Sequence, residues 1–326
     1  MKRRNTVIRI ACCLSAGIIL SGCGSVKEEA LNRPYSFEER SLSLIDGDSE
    51  EGFGPLFAED LCVVEDESAF SADDTTSEAA AVFDIAGEQV LYSKNAYEKL
   101  YPASITKVMT ALIAIKYGDL SDTVTVTDEA MISEAGATLA GLKPGDTLTL
   151  EQLLYGLMLP SGNDAGSAIA IHMAGSIDAF ADMMNAEAKA LGATNTNFVN
   201  PHGLSNENHY TTAYDLYLIF NEALKQPKFR EVTGTTAYTA QYADGSDNPV
   251  TKTWEGGNWY LVGERETPEG LTVFSGKTGT TKAAGYCLIM ASKDQQEKEY
   301  ISVVLKAPSR PGLYDNMTNI ISKIVE

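Results

Sequence analysis

The most informative segment of the chain is residues 101–112, which read Tyr-Pro-Ala-Ser-Ile-Thr-Lys-Val-Met-Thr-Ala-Leu. A helix is predicted to begin beside Pro102, and apolar residues then cover nearly every face until Gly118, which can end it. A helix that is apolar on all sides is buried. Ser104 and Lys107 are three residues apart, so they face the same side of this helix, with Cβ atoms about 5–6 Å apart.

This pair has the composition of an activated nucleophile. A serine hydroxyl attacks poorly until a base removes its proton. Lys107 can be that base only if its pKa falls from about 10.4 to about 7–8, a change of roughly 4 kcal/mol. Burial and a second cation both lower a lysine pKa. The apolar helix supplies the burial and leaves Lys107 no polar face, and Lys277 is the candidate second cation.

A second motif, Ser161-Gly162-Asn163, falls in the break between two predicted helices. Pro160 ends the first helix, and Asn163 or Asp164 can cap the second. A loop is free to present its side chains. The Ser161 hydroxyl can therefore relay a proton to a leaving amine, and the Asn163 amide can bind a substrate carbonyl. Taken alone, Asn163 is explained equally well as a helix cap.

A third motif, Lys277-Thr278-Gly279, ends or occupies a predicted strand before Thr280. Gly279 would let a substrate approach the strand closely, and Thr278 and Thr280 offer hydroxyl groups. Taken alone, Lys277 is also explained as an edge-strand charge that opposes aggregation. Each motif is weak by itself, but all three at element boundaries indicate one catalytic site.

The remaining pattern predicts an α+β fold. Strand-like runs come first, five or so helices follow, and further strands and a terminal helix complete the chain. The first and last segments can share one sheet, with the helices inserted as a second lobe. We expect no second C-terminal β domain. The predicted boundaries are 79–326 for the domain, 79–103 and 232–326 for the sheet lobe, and 104–231 for the helical lobe.

The charge is unevenly distributed along the 326 residues. Lys and Arg number 25 and Asp and Glu number 45, a net charge of −20, which disfavours nucleic-acid binding. Residues 24–78 hold 16 of the acids and only 3 bases, with few apolar anchors before residue 52. We therefore predict an acidic tether over residues 23–78, of which the more apolar residues 52–64 can dock on the domain.

The N-terminus is typical of an export signal. Residues 1–22 are basic at the start and contain no acid, and their apolar run, Ile10–Leu20, is too short to span a bilayer. The run ends in Leu-Ser-Gly-Cys, which resembles the bacterial lipobox and implies cleavage before Cys23 and lipidation of its thiol. An ordinary signal peptide with an incidental cysteine is the alternative. Lipidation predicts a protein held at the extracytoplasmic face of the membrane.

Two cysteines, Cys62 and Cys287, remain after Cys23. Their pairing is open, and two free thiols are favoured because Cys287 lies in an apolar run. The three histidines fall on dissimilar elements, which disfavours a zinc peptidase, so we predict no metal or cofactor.

Four segments together resemble the serine D-Ala-D-Ala carboxypeptidases, the low-molecular-mass penicillin-binding proteins. The segments are 101–112, 161–165, Lys277–Gly279 and Asn200–Leu204, the last of which reads Asn-Pro-His-Gly-Leu. The resemblance covers about residues 79–310. It implies the penicillin-recognising fold of β-lactamases and transpeptidases, in which an antiparallel sheet is flanked by helices and a helical lobe is inserted. The site would lie between the sheet and the helical lobe.

The resemblance also implies a role for each motif residue. Ser104 would be acylated by the penultimate D-Ala of a peptidoglycan stem peptide, Lys107 would be the general base, and Ser161 would shuttle the proton. The remaining site residues would bind the substrate. Asn163 would hold the peptide, and Lys277 would supply positive potential for its negative charge. Thr278 and Thr280 would bind the terminal carboxylate, and Gly279 would let the substrate approach the strand closely. The backbone N–H groups of Ser104 and Thr280 would form the oxyanion hole. β-Lactams would inhibit by trapping Ser104.

Two features depart from the family pattern. Thr280 stands where many members carry histidine. Many members also carry a C-terminal amphipathic anchor, which the lipid on Cys23 would replace here.

Other functions remain open at this stage. A class A β-lactamase has Asp in place of Gly162 and a deacylating Glu, for which residues 165–200 offer no matching segment. A D,D-endopeptidase uses the same residues. In a non-catalytic cell-wall-binding lipoprotein, we would expect at least one motif to have lost its catalytic residues, and all three motifs are intact. Trp254 and Trp259 are explained equally by a cleft rim or by core packing.

Overall fold

The computed structural model describes residues 61–64, 67–71 and 74–325. The signal segment, Cys23 and the tether as far as residue 60 lie outside these described residues. The strands are β1 (Ala79–Asp84), β2 (Gln89–Lys94), β3 (Thr123–Thr125), β4 (Thr147–Thr149), β5 (Ala237–Ala243), β6 (Pro249–Glu255), β7 (Thr272–Thr281), β8 (Gly285–Lys293) and β9 (Glu299–Ala307). The α-helices are α1 (Lys107–Tyr117), α2 (Leu150–Met158), α3 (Asn163–Ala174), α4 (Ile177–Ala190), α5 (Ala213–Leu224), α6 (Pro227–Gly234), α7 (Trp259–Val262) and α8 (Arg310–Ser322).

The first and last strands share one antiparallel sheet, ordered β2-β1-β9-β8-β7. Strand β1 pairs with β9, with Ala79 opposite Leu305, so the two ends of the domain meet in the middle of the sheet. Every residue of β1 is buried, because helices cover both faces of the sheet. On one face α8 packs with Leu313 and Tyr314, and on the other the core includes α1 and α5. The predicted α+β architecture is confirmed.

Local sequence signals explain several helix starts. Thr149 and Gln152 form a capping box, in which the Thr149 hydroxyl accepts from the Gln152 N–H and the Gln152 side chain accepts from the Thr149 N–H. Ser176 and Thr212 cap α4 and α5 in the same way, with their side-chain oxygens accepting backbone N–H groups. Each of these caps bonds to a residue three positions away, so the start of each helix depends on local sequence.

A second sheet, ordered β3-β4-β5-β6, differs from the sequence prediction. We did not predict β6, and we assigned residues from 232 onward to the sheet lobe, whereas β5 pairs with β4 through Thr147 and Ala243. The hairpin buries Ala240 and Trp254, and Trp254 donates its indole N–H to the Ala140 carbonyl. Trp254 is therefore a core residue, and this contact joins the hairpin to the helical lobe.

The segment before β1 docks on the domain rather than extending as a tether to residue 78. Cys62 is fully buried, and its N–H donates to the Tyr217 hydroxyl at 3.0 Å. Glu67 accepts from the Ser93 hydroxyl at 2.6 Å and from the Ala96 N–H at 2.6 Å. The docking predicted for residues 52–64 is therefore seen at residues 61–64, and it continues through residues that we had expected to be solvated.

Cys62 and Cys287 are both buried free thiols.

Candidate active site

Ser104 lies in a tight turn at the start of the buried helix. Residues Ala103–Thr106 form a 3-10 helix that leads into α1, whereas the sequence predicted one continuous α-helix. Ala103 has φ +47°, a left-handed conformation that L residues rarely adopt. The strained turn precedes the candidate nucleophile directly. The Lys107 Nζ atom lies 3.0 Å from the Ser104 Oγ atom, as the three-residue spacing predicted.

Lys107 is enclosed completely. Its side chain has no solvent exposure, and Nζ also contacts the Asn163 Oδ1 atom at 2.6 Å and the His202 carbonyl oxygen at 2.7 Å. Burial holds the pKa of Lys107 well below its usual value, and the positive charge of Lys277 lowers it further, against the opposing effect of Asp164. The net effect shifts the equilibrium of Lys107 toward the neutral amine, the form that can accept a proton.

Lys277 and Ser161 form a second pair beside the first. The Lys277 Nζ atom lies 3.0 Å from the Ser161 Oγ atom and donates to the Thr278 carbonyl at 2.8 Å. Ser161 has φ +60°, so the candidate proton relay also sits on a strained backbone. Lys277 is only 3% exposed, and burial lowers its pKa to about 7. This burial argues against a solvated edge-strand charge, although β7 is an edge strand.

Asp164, which we had expected only as a possible helix cap, holds the Ser161–Asn163 motif against a neighbouring loop. The N-cap position of α3 is Gly162, with no side-chain cap, so neither Asn163 nor Asp164 caps the helix as we had expected. Asn163 instead contacts Lys107. Asp164 is 2% exposed and accepts backbone N–H groups from residues 140, 141 and 142 at 2.7, 2.8 and 2.9 Å. These bonds fix the loop before α2 against the motif.

Strand β7 passes directly over the start of the 3-10 helix. A Cβ atom on Gly279 would lie 2.9 Å from the Ser104 backbone nitrogen and 3.0 Å from the Pro102 oxygen, so a side chain there would displace the turn. The Lys277–Thr278–Gly279 motif lies inside β7 rather than at its end. Glycine is therefore required for the close packing of the strand on the nucleophile turn.

Two cavities adjoin this cluster. The larger, about 470 Å³, is lined by Ser104, Asn163 and Thr280 together with residues 134–138 and 202–205. The smaller, about 20 Å³, is lined by Lys277 and Thr278 together with residues from α7 and from the loop before it. The structure therefore brings together all eight predicted active-site residues from three distant segments. Neither wall loop, 134–138 or 202–205, was assigned to the site from the sequence, although Asn200–Leu204 is one of the segments that carry the family resemblance.

Comparison with known proteins identifies the family. The S11 peptidase family model, described as D-alanyl-D-alanine carboxypeptidase, matches residues 66–309. The chain belongs to the D-alanyl-D-alanine carboxypeptidase family.

Individual family members support the same assignment. The chain is 37% identical over 209 residues to D-alanyl-D-alanine carboxypeptidase DacF of Bacillus subtilis (strain 168), covering 63% of this chain and 51% of that protein. It is 34% identical over 247 residues to the D-alanyl-D-alanine carboxypeptidase of Streptomyces sp. (strain K15), covering 71% and 81% of the two chains. The match to DacC of Escherichia coli covers 60% of that protein. The chain therefore spans about half the length of DacF and about three fifths of the length of DacC.

A solved structure confirms the predicted fold. The crystal structure of the Streptomyces K15 DD-transpeptidase superposes with a TM-score of 0.71 at 32% sequence identity, covering 76% of this chain and 97% of that one. The penicillin-recognising serine peptidase fold of the D-alanyl-D-alanine carboxypeptidase family is therefore present here. No group of three His, Cys, Asp or Glu residues in the described ranges could hold a metal ion. Within those ranges no helix is long and apolar enough to cross a membrane.

Proposed function

We propose that the protein is a serine D,D-carboxypeptidase that removes the terminal D-Ala from peptidoglycan stem peptides. One observation carries the proposal: a fully buried lysine, with its pKa well below the usual value, lies 3.0 Å from the hydroxyl of Ser104. A neutral amine in contact with a serine hydroxyl is the arrangement that general-base activation requires.

The reaction would proceed in two halves. In the first, Lys107 takes the Ser104 proton while Oγ attacks the carbonyl carbon of the penultimate D-Ala, and the backbone N–H groups of Ser104 and Thr280 stabilise the oxyanion. Ser161 then passes its proton to the nitrogen of the terminal D-Ala and takes up the proton held by Lys107, the C–N bond breaks, and D-Ala leaves. In the second half, the neutral Lys107 takes a proton from water as the water oxygen attacks the ester. The bond between the acyl carbon and the Ser104 Oγ atom then breaks, and the proton returns from Lys107 to Ser104.

Lys277 has a separate electrostatic task in this proposal. The terminal D-Ala carries a carboxylate, which is attracted to the Lys277 ammonium, and Thr278 and Thr280 offer it hydroxyl groups. A bound carboxylate also favours the protonated form of Lys277. Asn163, whose Oδ1 atom contacts Lys107, would present its remaining amide group to the peptide.

Two related reactions would use the same site. An endopeptidase would release a peptide in place of a single D-Ala. A transpeptidase, the activity named for the Streptomyces K15 structure, would use the same acyl-enzyme with an amine in place of water.

The test uses the protein from residue 23 onward. We expect fluorescent penicillin to label the wild type and not Ser104→Ala, and we expect D-Ala release from a peptide ending in D-Ala-D-Ala. A folded wild type that is not labelled would refute the assignment. Faster cleavage of a crosslinked dimer than of a monomeric pentapeptide would favour the endopeptidase, amide formation with an added amine the transpeptidase, and rapid penicillin turnover a β-lactamase.

We further propose that the protein is a lipoprotein held at the extracytoplasmic face of the cell membrane through Cys23. The support is the basic start of the chain, the apolar run and the Leu-Ser-Gly-Cys sequence. Two acyl chains anchor a protein stably where one is marginal. We expect the wild type in the membrane fraction and Cys23→Ser in the soluble fraction, with the acyl mass found on the N-terminal peptide. A Cys23→Ser protein that stays in the membrane fraction would exclude this anchor.

A further inference from the structure

The Asn200–Leu204 loop contacts the helix that carries Lys107 at two points. The carbonyl oxygen of His202 accepts from the Lys107 Nζ atom at 2.7 Å. The carbonyl oxygen of Pro201 accepts from the Thr110 hydroxyl at 2.6 Å, and Thr110 lies three residues further along α1 and is fully buried. The loop is thus attached to the helix both at the candidate base and one turn beyond it.

The side chain of Asn200 holds the loop in its turn. Its Oδ1 atom accepts the N–H groups of His202 and Gly203 at 3.3 and 2.7 Å, and its Nδ2 atom donates to the Leu204 carbonyl at 3.0 Å. These bonds close the loop on itself, a common use of asparagine in turns. They leave the His202 carbonyl free to point at Lys107.

Gly203 presses the loop against the nucleophile turn. Its φ is +91°, and a Cβ atom at this position would lie 1.8 Å from the carbonyl oxygen of Ala103. Only glycine meets both conditions. The loop therefore contacts the chain immediately before Ser104 as well as Lys107.

Counting hydrogen bonds at Lys107 gives the loop a chemical role. A neutral amine has two N–H donors and one lone pair. The His202 carbonyl oxygen and the Asn163 Oδ1 atom can only accept, so they engage the two donors. The lone pair is then directed at the third neighbour, the Ser104 hydroxyl at 3.0 Å. If the carbonyl moved away, one N–H could turn toward the Ser104 oxygen, and Lys107 could not accept a proton in that orientation.

We propose that the Asn200–Leu204 loop is a positioning element that orients the lone pair of Lys107 toward Ser104. The proposal rests on the function proposed above, because it assigns the loop to the acylation step. The loop acts through Lys107 and not on the scissile bond. Its main effect should therefore be on the rate constant of acylation, with a much smaller effect on the noncovalent binding of the inhibitor or substrate, since residues 202–205 also line the cleft.

The decisive variant is Thr110→Val, which keeps the shape of the side chain and removes the hydroxyl that holds Pro201. Thr110→Ser restores that hydroxyl. Asn185→Ala is the matched control. The Asn185 side chain bonds both the N–H and the carbonyl of Phe198, which lies in the same segment between α4 and α5 but away from Lys107. Asn200→Ala attacks the loop by a second route. All are made in the protein from residue 23 onward, and melting temperatures are recorded.

The measurement is rapid-mixing acylation by a penicillin over a concentration series, which separates the acylation rate constant from the dissociation constant of the first complex. We expect Thr110→Val and Asn200→Ala to lower the rate constant by about tenfold or more, which is part of the rate enhancement that a general base contributes. The dissociation constant should change by less than about threefold. Thr110→Ser should recover to within about twofold, and Asn185→Ala should lose only thermal stability.

The outcomes separate the two proposals. If the wild type is not acylated, the proposed function fails and the role of the loop fails with it. If the wild type is acylated and both loop variants acylate at the wild-type rate, only the role of the loop is overturned. Equal losses in Thr110→Ser and Thr110→Val, or an equal loss in Asn185→Ala, would also overturn it, because they would indicate a general effect of destabilisation.

Discussion

Replacing Lys277 with methionine should stabilise the fold while removing activity. Burial lowers the pKa of Lys277 from 10.5 to about 7, so at neutral pH the folded protein holds this proton far less tightly than the unfolded chain does. At 1.36 kcal/mol for each pKa unit, the penalty amounts to about 4 kcal/mol at pH 7 and about 2 kcal/mol at pH 9. Methionine has a similar shape and carries no charge, so it avoids this penalty.

The net effect also includes two lost hydrogen bonds. Lys277 donates to Ser161 and to the Thr278 carbonyl, and each bond contributes about 1 kcal/mol. Lys277→Met should therefore be more stable than the wild type by about 2 kcal/mol at pH 7 and about equally stable at pH 9. The sign follows from the lowered pKa: above pH 7 the unfolded chain binds the extra proton, so wild-type stability rises with pH and the advantage of the variant shrinks.

Urea unfolding of both proteins at the two pH values tests this expectation. Lys189→Met, on the exposed last turn of α4, is the control and should show no such pH-dependent difference. Penicillin acylation should be lost in Lys277→Met and kept in Lys189→Met. Loss of activity together with a gain in stability is expected where an active site is maintained at a cost in stability. A Lys277→Met protein that is less stable than the wild type by the same amount at both pH values would refute the reasoning.

Three further predictions concern residues around the site. Asp164→Asn should lower the free energy of unfolding by about 2–4 kcal/mol in urea titrations, because an amide N–H group would face the backbone donors of residues 140–142. Glu67→Ala should expose residues 61–71 to proteolysis while acylation at Ser104 keeps its rate, and slower acylation would contradict this. Gly203→Ala should abolish acylation, whereas an active variant would show that the 1.8 Å approach to Ala103 can relax.

Much of the fold could be predicted because the signals are local. The capping box at Thr149, the cap at Ser176 and the apolar helix after Pro102 depend on residues within four positions of one another. Strand β5 was placed with the sheet lobe and β6 was not predicted, because the buried face of this hairpin is defined by the contact between Trp254 and the Ala140 carbonyl, 114 residues away. The N-cap of α3 was also wrong, since the Asp164 carboxylate bonds a distant loop in place of its own helix.

The active site divides in the same way. The sequence by itself determined that Ser104 and Lys107 face each other, because a three-residue spacing on a helical turn leaves little freedom. Only the tertiary structure decided that the His202 carbonyl, 95 residues away, accepts from Lys107 and that Lys277, 116 residues away, reaches Ser161. Such contacts depend on how the whole chain buries its apolar surface, a property that no short segment contains.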